Sequence, residues 1–188
     1  MKKTKILSVA ISLITSMLLT CSAAVPVKGA EESLPIKEIT ISAKTSFINI
    51  NRMQMMVQEE IERKEEELRY MSSIIFAEAG NQCLAGQQAV GIIVMNRVAC
   101  EDYYSDNIID VIYEKGQFTP VENGALDKAL AMYDEGELPE SCIAAAQYAL
   151  EGNTTVIYND NEYDLKDYLF FARYVKNKKL VIEDHQFK

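Results

Sequence analysis

The chain has 188 residues, 19 Lys and Arg against 28 Asp and Glu, and a formal charge of −9. Its 48% hydrophobic content is enough for one packed domain plus a tail, which excludes wholesale disorder. The acid excess excludes a coat for duplex nucleic acid, which needs clustered bases, and the single histidine, His185, excludes multi-histidine metal sites.

Residues 1–24 read as a secretory signal peptide. Lys2, Lys3 and Lys5 precede a mostly apolar run from Ile6 to Thr20, and small residues Ser22, Ala23 and Ala24 follow. Cleavage is expected after Ala24, giving a secreted, wall-side protein. The apolar run is short and interrupted by Ser and Thr, whereas a spanning helix wants ~20 mainly apolar residues. Stable membrane insertion is therefore not expected once the signal is removed. Thr20 fits poorly before a lipidated cysteine, so simple export is preferred over a lipoprotein at Cys21. Loss of the leader would leave 16 bases against 28 acids, or −12. Cys83, Cys100 and Cys142 then permit at most one internal bridge, and their spacing does not select a pair.

Residues 25–50 mix Pro, Ser, Thr, Lys and Glu with scattered Ile, the texture of a linker. From Asn51 the pattern is helical. Met53, Val57, Ile61, Leu68, Met71 and Ile75 recur at helical spacing among Glu59, Glu60, Glu62 and Glu65 to Glu67. Residues 51–69 could pair with a protein partner as a short coiled coil, but the stripe spans few heptads, and an entry helix packed on the domain or solvated outside it is preferred. A globular domain is expected over 70–188. Its first helix runs to a break at Gly80-Asn81. Val90, Ile93, Val94 and Val98 mark the next, and Ser105 caps a third carrying Ile108, Ile109 and Ile112, stopped by Gly116. Leu126, Leu130 and Tyr133 mark a fourth, and an Ala-rich fifth lies between Pro139 and Gly152. Thr155 to Tyr158 is β-prone. Tyr168 to Val175 and Leu180 to Phe187, on either side of Asn177-Lys178-Lys179, are expected to form a small C-terminal β-hairpin. The fold class is α+β and helix-rich.

The informative stretch for chemistry is Phe76-Ala77-Glu78-Ala79-Gly80-Asn81-Gln82. Glu78 lies at the end of an apolar helix, where a partly dry cleft would favour its neutral form. A carboxyl protonated near neutral pH can act as a general acid. On spacing alone, an ordinary solvated helix glutamate is the commoner case.

The run from Phe76-Ala-Glu-Ala through Gly86-Gln87-Gln88-Ala89-Val90-Gly91 to Asn96-Arg97-Val98 resembles the signature of the SleB-type cell wall hydrolases, which include spore cortex-lytic enzymes. Gly116-Gln117-Phe118-Thr119-Pro120-Val121, with Asn123-Gly124, is a second match. The helix closing at Gly152 and the terminal His185-Gln186-Phe187 form a weaker third. The resemblance covers residues 70–188. It implies a lysozyme-like catalytic domain acting on peptidoglycan glycan strands, with Glu78 as catalytic acid and no cofactor. Many family members have Arg-Gly-Glu after this position, whereas this chain has Gly80-Asn81-Gln82 and so lacks the second acid.

Hydrolytic glycosidases usually use two carboxylates. Glu101, Asp102 and Glu122 are candidate second acids, though their spacing places none opposite Glu78. A lytic transglycosylase needs only one carboxyl group, and the resemblance and the single well-placed Glu lean that way. Gln117 can hydrogen-bond a sugar, while Phe118 and, less strongly, Tyr158 are candidates to contact one. Phe118 could equally be a core residue locking its loop. Asn96, Arg97 and a hydrogen-bonded His185 are expected in structural roles, and Thr119-Pro120 in a loop. The alternative is a non-catalytic wall-associated binding protein that keeps the fold, motivated by Gly80-Asn81-Gln82 and the charged helix.

Overall fold

A computed structural model describes residues 36–100 and 105–188, with side chains from Ile48 onward. The expected signal peptide and Cys21 lie outside the described residues, as do Glu101 and Asp102. The chain divides into two units at Asn49–Ile50, and the cores and cleft described below lie in the second, Ile50–Lys188. Among the described residues six helices precede five short strands: α1 (Ile36–Ala79), α2 (Leu84–Val98), α3 (Ile108–Tyr113), α4 (Thr119–Glu122), α5 (Ala125–Glu135), α6 (Glu140–Leu150), β1 (Thr155–Tyr158), β2 (Asn161–Asp164), β3 (Phe171–Ala172), β4 (Leu180–Ile182) and β5 (His185–Phe187). This is the helix-rich α+β order expected from the sequence. Among the described residues no helix is long and apolar enough to cross a membrane.

Helix α1 begins at Ile36, so the segment expected to be a linker through residue 50 is helical over its second half. The apolar stripe of α1 meets two environments. Met71 and Ile75 are fully buried and Leu68 packs against the same core, while Met53, Val57 and Ile61 are exposed. The upper part of the helix is thus solvated, and the lower part is a wall of the domain. Two buried serines there return their hydroxyls to the helix itself, Ser72 to the Leu68 carbonyl and Ser73 to that of Arg69, so neither is left unsatisfied.

Helix α2 is central. The sequence marks one apolar face, but the helix is buried on nearly all sides, with Val90 and Val94 in a core shared with α1 and α3, and Ile92 and Ile93 in a second core under the strands. Gly91 makes this crowding possible. A Cβ placed there would lie 2.9 Å from Ala149 Cβ and 3.0 Å from Ile75 Cδ1, so α1, α2 and α6 meet at a contact that admits no side chain. Gly91→Val is therefore expected to lower stability by about 2 kcal/mol through overpacking. A urea unfolding midpoint equal to wild type would refute this close packing.

The remaining helix ends follow local chemistry. Asn107, rather than Ser105, caps α3, its Oδ1 accepting from the amides of Ile109 (2.9 Å) and Asp110 (3.2 Å). Ser105 Oγ accepts from the Asn107 amide instead. Thr119-Pro120 opens the short helix α4, where Pro is tolerated because first-turn amides have no intrahelical partner. Helix α5 closes on Gly136 (φ 75), with the Gly136 amide bonded to the Tyr133 carbonyl and the Glu137 amide to that of Met132.

The strands differ from the single hairpin expected. β1 and β2 form one antiparallel pair, turned by Asn159 and Asp160, both at positive φ (50° and 60°) as a tight two-residue hairpin requires. The other sheet has the order β3-β5-β4. The segment Leu180–Phe187 is not one strand but two, folded at Glu183-Asp184, with Ile182 paired to His185. β5 is therefore the middle strand, pairing Phe171 with Phe187 on its other edge. Its residues His185 and Phe187 are buried.

Candidate active site

Three segments far apart in sequence surround one cleft of about 570 Å³. The α1–α2 junction supplies Ala77, Glu78, Asn81 and Gln82. The region from the end of α3 to the start of α5 supplies Gly116, Gln117, Thr119, Pro120, Asn123 and Ala125. The small sheet supplies Phe171, Ala172, Arg173, Asp184 and His185.

Glu78 occupies the last turn of α1 and is half-buried. Burial pushes its carboxyl from 4.5 up to about 6, against the opposing pull of the Arg97 charge. The carbonyl end of α1, which disfavours negative charge, acts in the same direction as burial. Arg97 is itself buried at the end of α2. Its Nε donates to the Leu169 carbonyl (2.9 Å), and its guanidinium carbon lies 4.9 Å from the centre of the Phe118 ring. Beside it, Asn96 Nδ2 donates to the carbonyls of Leu165 (2.7 Å) and Tyr168 (2.8 Å). Asn96 and Arg97 together pin the loop leading into β3 against α2.

The β4–β5 turn is clamped onto the α1–α2 junction. The Glu183 carboxylate accepts from the Cys83 amide (2.6 Å) at the N-terminus of α2, a favourable place for negative charge. Gln82 faces the next residue reciprocally. Its Oε1 accepts from the Asp184 amide (3.3 Å), and its Nε2 donates to the Asp184 carboxylate (3.4 Å). A glutamate at position 82 could not make that donation and would set two carboxylates side by side. The departure at Gln82 is thus matched by what it touches.

The residues singled out by sequence are distributed unevenly. Glu78 and Gln117 both line the cleft. Phe118 does not: only 1% of it is exposed, and it packs in the core under Arg97 and beside Phe171. It locks its loop and has no surface to offer a sugar. Tyr158 lies at the end of β1, packed on the core beneath the strands and away from the cleft lining. Glu122 is exposed on α4 and is not part of the lining.

Two residues gain importance. Asp184 brings a carboxylate to the cleft from more than a hundred positions beyond Glu78. His185, expected to be a hydrogen-bonded structural residue, lines the cleft as well, and its buried Nδ1 has no hydrogen-bond partner. Burial holds this imidazole below its ordinary pKa, with Asp184 opposing that shift, so the neutral ring predominates at neutral pH. The local signal for both residues is a strand interrupted by two consecutive acids, which the expected unbroken strand 180–187 concealed.

A second concavity, of about 840 Å³, lies between α1, α2, α3 and α6 and contains none of these residues. Cys83, Cys100 and Cys142 are free thiols, with Cys142 buried. Among the described residues no three His, Cys, Asp or Glu side chains gather as a metal site.

Comparison with known proteins gives a consistent family. The model for cell wall hydrolases matches residues 81–188, beginning just after Glu78. The catalytic domain of the Bacillus cereus SleB protein is similar in fold, with a TM-score of 0.50 and 19% identity, over 65% of this chain and 89% of that one. The catalytic domain of the germination-specific lytic transglycosylase SleB from Bacillus anthracis gives a TM-score of 0.47 and 20% identity, over 64% and 92%. No curated protein sequence matches the chain. The family match spans more than half of the sequence and coincides with the helix-rich domain and its terminal strands, so the chain belongs to the cell wall hydrolase family, with a lysozyme-like fold of the SleB catalytic-domain type.

Proposed function

We propose that this protein is exported and cleaves peptidoglycan glycan strands as a lytic transglycosylase, with Glu78 as general acid and then general base. The observation that carries this reading is Glu78 itself. It is a half-buried carboxyl raised to about 6, at the end of an apolar helix, in a polar cleft of a cell wall hydrolase domain. The protonated carboxyl gives its proton to the departing glycosidic oxygen as the C1–O bond breaks. The resulting carboxylate removes the proton from the C6 hydroxyl of the muramic residue, whose oxygen closes on C1. The product is a 1,6-anhydro sugar, no water is consumed, and Glu78 ends protonated. Gln117 and Asn81 line the same cleft, and in this reading their side chains hydrogen-bond sugar hydroxyl or amide groups.

Asp184 supports a second reading, hydrolysis by two carboxylates. The two readings differ in product. Fragments released from peptidoglycan by the purified protein are expected to carry anhydro-muramic ends by mass spectrometry, and Asp184→Asn is expected to keep producing them. Reducing ends from wild type that vanish in Asp184→Asn would establish hydrolysis instead. Spore cortex and vegetative wall, assayed side by side, identify the natural substrate. Absence of glycan cleavage on both would reject the enzymatic reading.

A further inference from the structure

Residues 173–179, which join β3 to β4, hold four of the chain's 19 bases and no acid, in a chain whose formal charge is −9. The four are Arg173, Lys176, Lys178 and Lys179, and all are exposed. Among the described residues, ion pairs form at Arg63, Lys64 and Arg69 but at none of these four. Asp184, which shares the cleft lining with Arg173, takes its side-chain hydrogen bond from Gln82 instead. Like charges gathered without an acid repel one another, and a chain this charged does not need them for solubility. The loop is nevertheless built to hold them. The Val175 amide donates to Gln186 Oε1 (3.1 Å) and the Lys179 amide to the Phe187 carbonyl (2.9 Å), which ties both halves of the loop to β5. Tyr174, 80% exposed, stands among the bases.

Arg173 belongs to this loop and to the cleft lining at once, next to Phe171 and Ala172. It is thus where a strand seated in the cleft first meets the basic loop. A glycan strand of peptidoglycan carries negative charge on the free carboxylates of the peptide stems attached to alternate sugars. Exposed guanidinium and ammonium groups match such carboxylates, Arg through a two-point hydrogen-bonded pair and Lys as a point charge. We propose that the β3–β4 loop, through Arg173, Lys176 and Lys178, is a docking surface for the carboxylates of the peptide stems beside the bond to be cleaved. This inference rests on the glycan-cleaving reading and adds a preference within it: strands that bear charged stems over strands whose muramic residues lack them.

The test compares wall strands that keep their stem carboxylates with the same strands after carbodiimide coupling to methylamine, which keeps the stems and removes their negative charge. Wild-type kcat/KM is expected to be about tenfold higher on the charged strands, the effect of three exposed ion pairs, and to fall with added salt on those strands alone. The triple variant Arg173→Gln, Lys176→Gln, Lys178→Gln in the full chain should cleave the two substrates equally well, its loss on charged strands appearing in KM. All three changes are on exposed side chains, where substitution leaves the fold intact. Equal wild-type rates on the two substrates, or a variant that keeps the wild-type preference, would overturn the docking surface and leave cleavage standing. A second measurement needs no cleavage. Full chain carrying Glu78→Gln should be retained by insoluble wall with charged stems and released from wall whose stems are methylamides. Retention that instead disappears when phosphodiester polymers are stripped from the wall, retention indifferent to both treatments, or no retention at all would overturn the surface. Carboxylate-dependent retention, with no strand cleaved by wild type, would keep the surface and reject the glycan-cleaving reading.

Discussion

Glu78→Gln is expected to lower glycan cleavage by about 10³-fold, while making the folded protein more stable at neutral pH. The activity loss follows from removing a group that both gives and takes a proton, since positioned general acids contribute about 10²–10⁴-fold. The stability gain follows from the sign of the shift. Glu78 is raised from 4.5 to about 6, so the folded state holds the proton more tightly than the unfolded chain. Below pH 4.5 both states are protonated and the carboxyl costs nothing. As pH rises through 6 the folded state must ionise a half-buried group, a penalty that levels off at about 2 kcal/mol. Gln has the same shape and never ionises. The variant should therefore match wild type in stability near pH 4 and exceed it by up to that amount at pH 7.5. Wild-type activity should fall as pH rises through about 6, because the acid form is consumed. Denaturant unfolding at the two pH values, with fragment release on peptidoglycan, measures all three effects. A Gln variant that still cleaves strands would remove Glu78 from the mechanism. One that loses activity and stability together at pH 7.5 would show that the carboxylate has a structural partner instead.

How much of this site is legible in the sequence depends on how local each cause is. The helices are written at 3.6-residue spacing, and their ends at Pro139, Gly136 and Gly152 follow from backbone preferences of single residues. Glu78 stands out because an apolar helix delivers it to a polar break, and its neighbours carry the family pattern. The strands are less readable. Asn161–Asp164 has Tyr163 as its single aromatic and no alternating pattern, so only its pairing with Thr155–Tyr158 makes it a strand. Glu183-Asp184 turns β4 into β5 with no glycine, and Glu183 sits at positive φ (47°) while its side chain caps α2. That compensation is invisible without the contact. The same holds for Phe118. Whether a loop aromatic faces sugar or core depends on Arg97, twenty-one positions earlier, whose guanidinium covers the ring. Asp184 and His185 reach the cleft through Gln82, a hydrogen-bonded meeting of residues 102 positions apart.

The consequences of that arrangement converge on Arg97. Replacing it with Met is expected to cost about 2–4 kcal/mol, because the Leu169 carbonyl loses a charged donor and the Phe118 ring loses its guanidinium cover. Loosening these contacts frees both the loop before β3 and the loop holding Gln117, so KM should rise as well. The charge has a separate effect. Arg97 pulls the Glu78 pKa down, against burial, and its loss should carry the alkaline limb of the activity profile above about 6. Arg97→Lys separates the two roles. It keeps a positive charge near Glu78 but lacks the planar guanidinium that spans the Leu169 carbonyl and the Phe118 ring. The Lys variant should therefore unfold more readily than wild type and yet keep an alkaline limb close to the wild-type one. A limb that stays in place in Arg97→Met would show that the charge does not reach Glu78. Burial and the helix terminus alone would then set the acid's strength.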